Sequence, residues 1–410
     1  MNGFGLLGEH LSHSYSPLIH AGFGDYKYRL YEKSPDDVEG FLRQKNFRGI
    51  NVTIPYKKTV IPFCNKLSES AKTIGSVNTI IQLDDGSLYG DNTDYFGFSY
   101  LLKESGADLT EGKVIILGSG GSSLTAQAVL RDKSKMEIIV ISRTGTDNYE
   151  NIGKHKNAKM IINTTPVGMY PNNGVSPIKD LSIFQNCKTI IDMIYNPLRS
   201  TLLQQAEDLG ISGVNGLTML VAQAKRAAEL FTCLSIPDDK IESIKNKIAE
   251  STRNIVLIGM PGCGKSSIGT QLATKMNREF ADTDDWIIKH AKKSIPAIFA
   301  EDGEETFRKL ENEALETFCK KSGLIIATGG GIVKRKENRN IIRQNSVVIF
   351  IDRDISKLPV SGRPLSEKEG IKALAEARLP VYNQWSDFIV ESINVEQTAE
   401  DILKKLTEEV

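Results

Sequence analysis

The sequence predicts an α/β protein with more than one domain, and three features carry this prediction. Short apolar, β-branched runs alternate along the chain with segments of helical character, a pattern typical of parallel sheets covered by helices. Two of these runs, Lys113–Leu117 and Asn254–Ile258, each enter a glycine-rich turn that is followed by a helix-competent segment. The length of 410 residues also exceeds what one hydrophobic core usually supports.

Composition limits the classes of function. Lys plus Arg and Asp plus Glu balance at 51 each, so we expect neither a nucleic-acid nor a membrane partner, and the locally basic run Lys334–Arg343 is interpreted as a solvated helix face. Five cysteines without a Cys-x-x-Cys pair favour reduced thiols and a cytoplasmic location. Neither a signal peptide nor a long apolar span is recognised. Small-molecule substrates are therefore expected, and a homo-oligomer is left open.

The first hundred residues alternate between predicted strands and helix starts. Strands are expected at Phe4–Leu7, Tyr26–Tyr31 and Phe47–Val52, and Asp84-Asp85-Gly86 indicates a hairpin. Pro17 suits the first turn of a helix. The last of these strands leads into Thr53–Lys58, and α/β proteins place ligand-binding groups in loops at strand ends.

A second glycine-rich segment lies in the middle of the chain. The strand Lys113–Leu117, the turn Gly118–Ser123 and the strand Glu137–Ile141 form a βαβ unit with a dinucleotide-type loop. The loop alone is a weak signal, because Ser123 replaces the third glycine. Arg143 follows the second strand where an NAD site carries an acid, which favours the 2′-phosphate of NADP.

The strongest motif is Asn254–Ser267, NIVLIGMPGCGKSS. After a buried strand, Gly259–Ser266 fits G-x-x-x-x-G-K-[ST], in which backbone amides surround phosphates, the lysine adds charge and the hydroxyl reaches Mg²⁺. This context predicts a phosphoryl-transfer module. The predicted nucleotide-binding residues are Gly259, Gly262, Gly264, Lys265, Ser266 and Ser267.

Further polar groups follow this loop. Asp282 and Asp284 come directly after a strand and could divide their work between a metal and a substrate hydroxyl. Bare backbone at Gly329–Gly331 permits close approach of a ligand. The polar segment 352–369 is interpreted as a mobile lid.

Residues 1–235 resemble shikimate dehydrogenase. The serines Ser14 and Ser16, the NVTIPYK segment Asn51–Lys57, VNT at 77–79 and NTD at 92–94 match the motifs of that family. The resemblance implies that Lys57 and Asp94 form the catalytic pair. It implies a substrate site made of Ser14, Ser16, Thr53, Asn78, Tyr195 and Gln223. It implies NADP(H) binding by Gly118, Gly120, Gly121, Arg143 and Thr144. This chain departs from the family pattern at Ser122, Ser123 and Ser142.

Residues 253–410 resemble shikimate kinase. The resemblance implies ATP as the phosphate donor, Mg²⁺ held by Ser266 and Asp282, and catalytic roles for Lys265 and Asp284. It implies a shikimate site made of Asp284, Arg308, Gly330, Gly331 and Arg378. Arg363 matches a lid arginine that binds ATP. The lid is shorter than in the family, and the arginine usually found upstream of it is missing, with Lys357 nearby.

Together the resemblances imply a bifunctional enzyme of chorismate (aromatic amino acid) biosynthesis. It would reduce 3-dehydroshikimate to shikimate with NADPH and then phosphorylate shikimate to shikimate 3-phosphate. The expected parts are a shikimate-binding lobe (1–95 and 214–235), a Rossmann-type NADP lobe (96–213), an amphipathic linker (236–252) and a P-loop, adenylate-kinase-like domain (253–410). Three alternatives stay open: a non-catalytic kinase-like module beside an active dehydrogenase, a dehydrogenase for quinate or NAD, and a kinase for another small acid.

Overall fold

The computed structural model describes residues 3–11, 14–358 and 370–408, and the chain divides into two compact units. The N-terminal unit comprises Met1–Val167, Ser176–Tyr195 and Gln205–Lys247. The C-terminal unit comprises Gly168–Val175, Asn196–Gln204 and Ile248–Val410.

The first sheet of the N-terminal unit mixes parallel and antiparallel strands. Its strands are β1 Phe4–Gly8, β2 Tyr28–Glu32, β3 Gly49–Val52, β4 Lys66–Leu67, β5 Thr79–Gln82 and β6 Leu88–Asp91. Their order is β2-β1-β3-β5-β6-β4, with β1 parallel to β2 and β3, and β5 antiparallel to β3 and β6. The helices in this part are α1 Ser16–Phe23, α2 Pro35–Gln44 and α3 Glu69–Ile74. The antiparallel β5–β6 pair confirms the predicted hairpin.

Burial explains which strands were easiest to recognise. Every residue of β1 and β3 is buried, and Leu7, Ile50 and Val52 belong to one core cluster with the inner residues of β5 and β6. Such strands are continuous apolar runs rather than alternating ones. Thr53 follows β3 directly and its amide donates to the Leu7 carbonyl (2.9 Å), which holds the start of the ligand loop beside β1.

The second sheet of this unit is parallel throughout. Its strands are β7 Lys113–Leu117, β8 Glu137–Ile141, β9 Met160–Asn163, β10 Thr189–Asp192 and β11 Ser212–Asn215, in the order β11-β10-β9-β7-β8. The next helices are α4 Asp94–Glu104, α5 Gly121–Lys133, α6 Thr201–Asp208, α7 Leu217–Thr232 and α8 Asp239–Thr252. The strand order reverses at β7, so the glycine turn that follows β7 lies where such sheets bind ligands.

Most of the predicted amphipathic connector is a helix, α8. Ile241 is fully buried, and Ile244 packs so closely on Gly22 that a Cβ there would lie 2.6 Å from the Ile244 Cδ1 atom. Lys245 pairs with Glu104 at 2.8 Å. The first part of the helix is therefore docked on the N-terminal unit through its apolar stripe.

The C-terminal unit contains a third, parallel sheet. Its strands are β12 Asn254–Ile258, β13 Phe280–Asp282, β14 Ile325–Ala327, β15 Ser346–Asp352 and β16 Phe388–Glu391, in the order β13-β14-β12-β15-β16. Its helices are α9 Lys265–Met276, α10 Thr283–Ala291, α11 Ile295–Glu301, α12 Gly303–Cys319, α13 Lys336–Arg343, α14 Ile371–Trp385 and α15 Val395–Glu408.

The predicted α/β fold class is confirmed, with local differences. Helix α9 begins at Lys265, inside the predicted G-x-x-x-x-G-K-[ST] motif, because Gly264 takes a φ of +103° and turns the chain directly into the helix. The short strands β4, β11 and β16 were not predicted, since they lack a buried apolar run. In the described part of the chain, no helix is long and apolar enough to cross a membrane.

Candidate active sites

A cavity of about 460 Å³ opens in the N-terminal unit, where the carboxyl ends of β1 and β3 face the start of α7. It gathers side chains that are far apart in the sequence. Every residue predicted for catalysis or substrate binding in this half of the chain lines it: Ser14, Ser16, Thr53, Lys57, Asn78, Asp94, Tyr195 and Gln223.

The central feature of this cavity is an ion pair. The Lys57 Nζ atom lies 2.7 Å from the Asp94 Oδ2 atom, and the two side chains are 31% and 18% exposed. Asp94 is the first residue of α4, and the Lys57 backbone is fixed by its carbonyl, which accepts from the Val77 amide at 2.8 Å. A hydrogen-bonded ammonium and carboxylate can hold a proton and pass it to a substrate oxygen.

The Asn78 side chain is held in one orientation. It is buried, and its Oδ1 atom accepts from the Thr93 amide (2.7 Å) and the Thr93 hydroxyl (3.1 Å). Because a backbone N–H needs an acceptor, the Asn78 NH₂ group is the one left to bind a substrate hydroxyl. The Thr93 hydroxyl also lies 3.4 Å from the Gln223 Oε1 atom. Thr93 thus connects two predicted substrate residues, a role that the sequence did not reveal although it lies inside the NTD motif.

Asn51 is a second residue that the sequence reasoning missed. Its Oδ1 atom accepts from the Tyr28 hydroxyl (2.7 Å), and its Nδ2 atom donates to the Thr79 hydroxyl (3.0 Å). Burial raises the pKa of Tyr28 well above its usual value, so the phenol remains a donor. Asn51 also lines the cavity, and its place at the head of the NVTIPYK segment was the available signal.

The glycine turn after β7 adjoins this cavity through Ser122. Added Cβ atoms at Gly120 and Gly121 would meet nothing within 4 Å, and α5 begins at Gly121. This bare turn at a helix N-terminus fits the pyrophosphate of a dinucleotide. The Gly118 amide donates to the Ile141 carbonyl at 2.8 Å, and this hydrogen bond holds the glycine turn beside the end of β8. The exposed Arg143 and its neighbour Thr144 follow that strand end.

Ser123, which replaces the third glycine, is accommodated without an unsatisfied hydroxyl. The residue is fully buried, and its Oγ atom accepts from Gln127 Nε2 at 3.1 Å, one turn later in α5. A small side chain with an internal partner fits between the helix and the sheet, which is what the glycine ordinarily allows.

A second cavity, of about 640 Å³, lies in the C-terminal unit. Most of the residues predicted for this half line it: Gly262, Gly264, Lys265, Ser266, Ser267, Asp282, Asp284, Arg308, Gly330, Gly331 and Arg378. Gly259 does not line the cavity: its φ is +145°, and an added Cβ would lie 2.6 Å from the Ile351 carbonyl oxygen. Its contribution is therefore close packing of the loop on β15. Arg363 lies outside the described residues.

The phosphate loop binds the ammonium group of Lys265 and brings the Ser266 hydroxyl next to the Asp282 carboxylate. Lys265 Nζ donates to the Gly259 and Met260 carbonyls, each at 2.9 Å. The Ser266 hydroxyl donates to Asp282 Oδ2 at 2.6 Å, so a hydroxyl and a carboxylate oxygen lie together at the start of α9. Oxygen ligands of this kind suit Mg²⁺, and the predicted metal pair fits that ion.

Asp284 is in a different environment from Asp282. Burial, together with the charges of Asp282 and Glu311, raises its pKa from 3.8 to about 7. Its Oδ1 atom is buried and has no hydrogen-bond partner among the described residues. An acceptor without a donor in a cavity fits a substrate hydroxyl, and a carboxylate with this pKa can take a proton near neutral pH.

The two predicted carboxylate-binding arginines are engaged unequally. Arg308, in α12, is buried and donates to Glu304 (2.9 Å) and to Glu311, so its charge is matched. Arg378 donates to the Gly330 carbonyl (2.9 Å), while its Nε and Nη2 atoms have no partner among the described residues. Arg378 therefore has more free donors for a carboxylate. Glu304 and Glu311 were not predicted, although their helical spacing from Arg308 in GEETFRKLE was visible.

Two family models match separate parts of this chain, and the similar proteins given below match its N-terminal part. The sequence model described as shikimate dehydrogenase substrate binding domain matches residues 6–80, and that described as shikimate kinase matches residues 261–410. The shikimate dehydrogenase (NADP(+)) of Clostridium perfringens strain SM101 is 34% identical over 269 residues, covering 60% of this chain and 98% of that protein. The Clostridium beijerinckii protein of the same name is 36% identical over 251 residues, covering 56% and 92%.

Solved structures resemble the N-terminal part. A chorismate mutase/shikimate 5-dehydrogenase fusion protein from Clostridium acetobutylicum is 32% identical with a TM-score of 0.57, covering 60% of this chain and 97% of that chain. Shikimate 5-dehydrogenase from Thermus thermophilus, in complex with NADP(H) and shikimate, is 29% identical with a TM-score of 0.55, covering 60% and 99%. The chain belongs to the shikimate dehydrogenase family and carries a shikimate kinase domain at residues 261–410.

Proposed function

We propose that this chain is a bifunctional enzyme of chorismate biosynthesis. It reduces 3-dehydroshikimate to shikimate with NADPH and then transfers the γ-phosphate of ATP to shikimate. The observation that carries the proposal is that, in each unit, residues of separate motifs converge on one cavity with the chemistry that its reaction needs. The hydroxyl made by the first reaction is the nucleophile of the second, which gives the fusion a chemical reason.

The reduction adds a hydride to the ring carbonyl carbon and a proton to its oxygen. NADPH supplies the hydride when it is bound at the glycine turn. Lys57 and Asp94 share the proton across their 2.7 Å contact and deliver it to the oxygen as negative charge develops there. Asn78, through its NH₂ group, and Gln223 orient the ring hydroxyls.

In the second reaction the 3-hydroxyl oxygen of shikimate forms a bond to the γ-phosphorus, and the bond from that phosphorus to the ADP oxygen breaks. Asp284 accepts the hydroxyl proton, while Arg378 and Arg308 hold the ring carboxylate. Lys265 and the loop amides stabilise the phosphate charge. Mg²⁺, when bound at Ser266 and Asp282, neutralises further phosphate charge.

Three finer proposals accompany this function. The exposed Arg143 supports a preference for NADP over NAD, because an NAD site carries an acid at this point. Five free cysteines support a cytoplasmic location. The division into lobes at 1–95 with 214–235 and 96–213, the linker 236–252 and the kinase domain 253–410 is retained as a proposal, supported by the separate sheets.

The test is a single reaction containing 3-dehydroshikimate, NADPH, ATP and Mg²⁺, with products followed by mass. Wild type is expected to form shikimate 3-phosphate. Lys265→Ala should stop at shikimate, and Lys57→Ala should form the phosphate only when shikimate is added. 3-Dehydroquinate, the ketone that would be reduced to quinate, and NADH serve as competing substrate and cofactor.

Two outcomes would contradict parts of the proposal. If wild type stops at shikimate, the C-terminal unit is a binding module or a kinase for another acid. If 3-dehydroquinate supports the faster turnover, the assigned substrate is wrong. If NADH does so, the assigned cofactor is wrong, and Arg143 does not select the 2′-phosphate.

A further inference from the structure

One cation of the C-terminal cavity has no role in the reaction as described above. Arg353 directly follows β15, is half-buried and lines the cavity. Its Nε atom is buried, and neither a hydrogen bond nor an ion pair joins its guanidinium to any described residue. A desolvated guanidinium donor without an acceptor is costly, and this calls for a partner that the described side chains do not supply.

The backbone just before Arg353 is fixed against the phosphate loop at two points. The Ile351 carbonyl lies against Gly259, where an added Cβ would come within 2.6 Å of its oxygen. The Asp352 carbonyl accepts from the Ser392 amide (2.6 Å), and the Ser392 hydroxyl donates to the Cys263 carbonyl of the loop (3.0 Å). The end of β15, which Arg353 follows, is therefore held against the phosphate loop at Gly259 directly and at Cys263 through Ser392.

The other cations of this cavity already have acceptors. Lys265 donates to two loop carbonyls, Arg308 is matched by Glu304 and Glu311, and Arg378 holds the Gly330 carbonyl. The acid beside Arg353 is also engaged, since Asp354 accepts from the Ser356 amide at 2.9 Å. Among the described residues of the cavity, Arg353 is thus the cation with no acceptor at all.

Sheet order decides which substrate this cation faces. Asp284 and the glycines 329–331 come after β13 and β14, on one side of the central strand β12, and this is the side proposed to bind shikimate. Arg353 follows β15, on the other side of β12. The phosphate loop, which continues β12, lies between the two.

We infer that Arg353 binds the phosphate chain of ATP through its guanidinium and so acts as a nucleotide-binding residue held at the end of β15. The planar fork of a guanidinium matches two phosphate oxygens, which a lysine cannot do. The inference rests on the proposed kinase function. Of the two cations in this segment, Arg353 lines the cavity, whereas Lys357 is exposed and does not line it. Arg353 is therefore the better candidate for the positive charge of the arginine that the resemblance indicated as missing.

The test compares Arg353→Ala with Lys357→Ala in the full chain, because both remove one positive charge from the same short segment. Binding of MgADP is measured by calorimetry, and the KM values for MgATP and shikimate are measured separately. Arg353→Ala should weaken MgADP binding and raise the KM for MgATP about 10- to 100-fold, the effect of losing a charge-assisted contact. Its KM for shikimate and all parameters of Lys357→Ala should stay near wild type.

Because Arg353→Ala could act through a folding defect, Arg353→Lys and Arg353→Gln are measured as well, and thermal melting checks that all variants are folded. Lysine should recover part of the MgADP affinity and glutamine should not. Equal MgADP affinity and MgATP KM in Arg353→Ala and Lys357→Ala would overturn the inference, as would a rise in the KM for shikimate alone. If wild type fails to phosphorylate shikimate, the proposed function fails, whereas MgADP binding still decides the role of Arg353.

Discussion

At the scale of single residues, the two carboxylates Asp282, at the end of β13, and Asp284, at the start of α10, have the same chemical type but different environments, and the environment decides what each can do. Asp282 accepts from the Ser266 hydroxyl and from the Asp284 amide, so its carboxylate is held beside the phosphate loop, where Mg²⁺ is proposed to bind. Asp284, two residues later, is half-buried. Its Oδ1 atom is buried without a hydrogen-bond partner among the described residues, and its pKa is raised to about 7. The sequence predicted that two acids would share the work, but it could not show that burial raises the pKa of Asp284.

Replacement of Asp284 by asparagine tests its role as a base. A pKa raised to about 7 keeps this carboxyl protonated below that pH, so kinase kcat/KM in wild type should rise with pH and level off above about pH 7. Asp284→Asn should lose about 100- to 10,000-fold in kcat, the usual worth of a positioned base, without this pH dependence. The matched control is Asp285→Asn, which removes an exposed neighbour that does not line the cavity.

Asp284→Asn should lower kinase activity but raise the stability of the C-terminal unit. A carboxyl whose pKa is higher in the folded than in the unfolded state binds its proton more tightly when folded, so its ionisation costs stability as pH rises from about 4 to 7. Asp284→Asn should therefore raise the Tm of the C-terminal unit more at pH 8 than at pH 5. Melting curves at both pH values check this, and a larger gain at pH 5 would contradict the raised pKa.

At the scale of secondary-structure elements, the contact between α4 and α7 brings the dehydrogenase site together. An added Cβ at Gly97 in α4 would lie 2.7 Å from the Met219 carbonyl oxygen and 2.9 Å from the Gln223 Cβ atom of α7. Only a glycine permits this approach. Because α4 begins at Asp94, the close packing sets the distance between the acid of the proposed catalytic pair and Gln223.

Gly97→Ala should separate these two helices. The overpacking should cost about 1–3 kcal/mol of stability. Dehydrogenase kcat/KM should fall, because Gln223 and Asp94 no longer face the same substrate, while the kinase rate stays unchanged. Gly40→Ala in α2 is the control, since a Cβ there meets nothing within 4 Å. Equal dehydrogenase rates and equal Tm values in the two variants would show that neither activity nor stability depends on the close approach of α4 and α7.

At the scale of the whole molecule, the chain contains two compact units with separate sheets and cores. A ligand that binds only one folded unit stabilises that unit by mass action, about 2.7 kcal/mol at a concentration of 100 times its Kd. Calorimetric unfolding should therefore show one transition that NADP⁺ raises and another that MgADP raises.

Lys265→Ala is the control for this experiment. It should abolish the shift caused by MgADP and leave the shift caused by NADP⁺ intact, because Lys265 lies in the phosphate loop of the C-terminal unit. A single transition raised equally by either ligand would contradict thermodynamic independence of the two units.

The sequence alone determined the fold class, the phosphate loop, the dinucleotide turn and the set of polar side chains expected to bind substrate, which do line the two cavities. These features are local: a buried strand is a continuous apolar run, and a loop that binds phosphate needs glycines at fixed spacings next to that strand. The strands β7, β8 and β12 were predicted with the bounds that the structure has, since each is apolar almost throughout.

Only the tertiary structure decided how these groups are held and charged. Thr93 reaches Gln223 across 130 residues of chain, and Arg353 is placed against the phosphate loop by strands that are neighbours only in the folded sheet. The raised pKa of Asp284 likewise comes from burial and from Glu311, which is contributed by another helix. Hydrogen bonds, desolvation and charge interactions depend on distances through space, and these are set by packing between elements rather than by spacing along the chain.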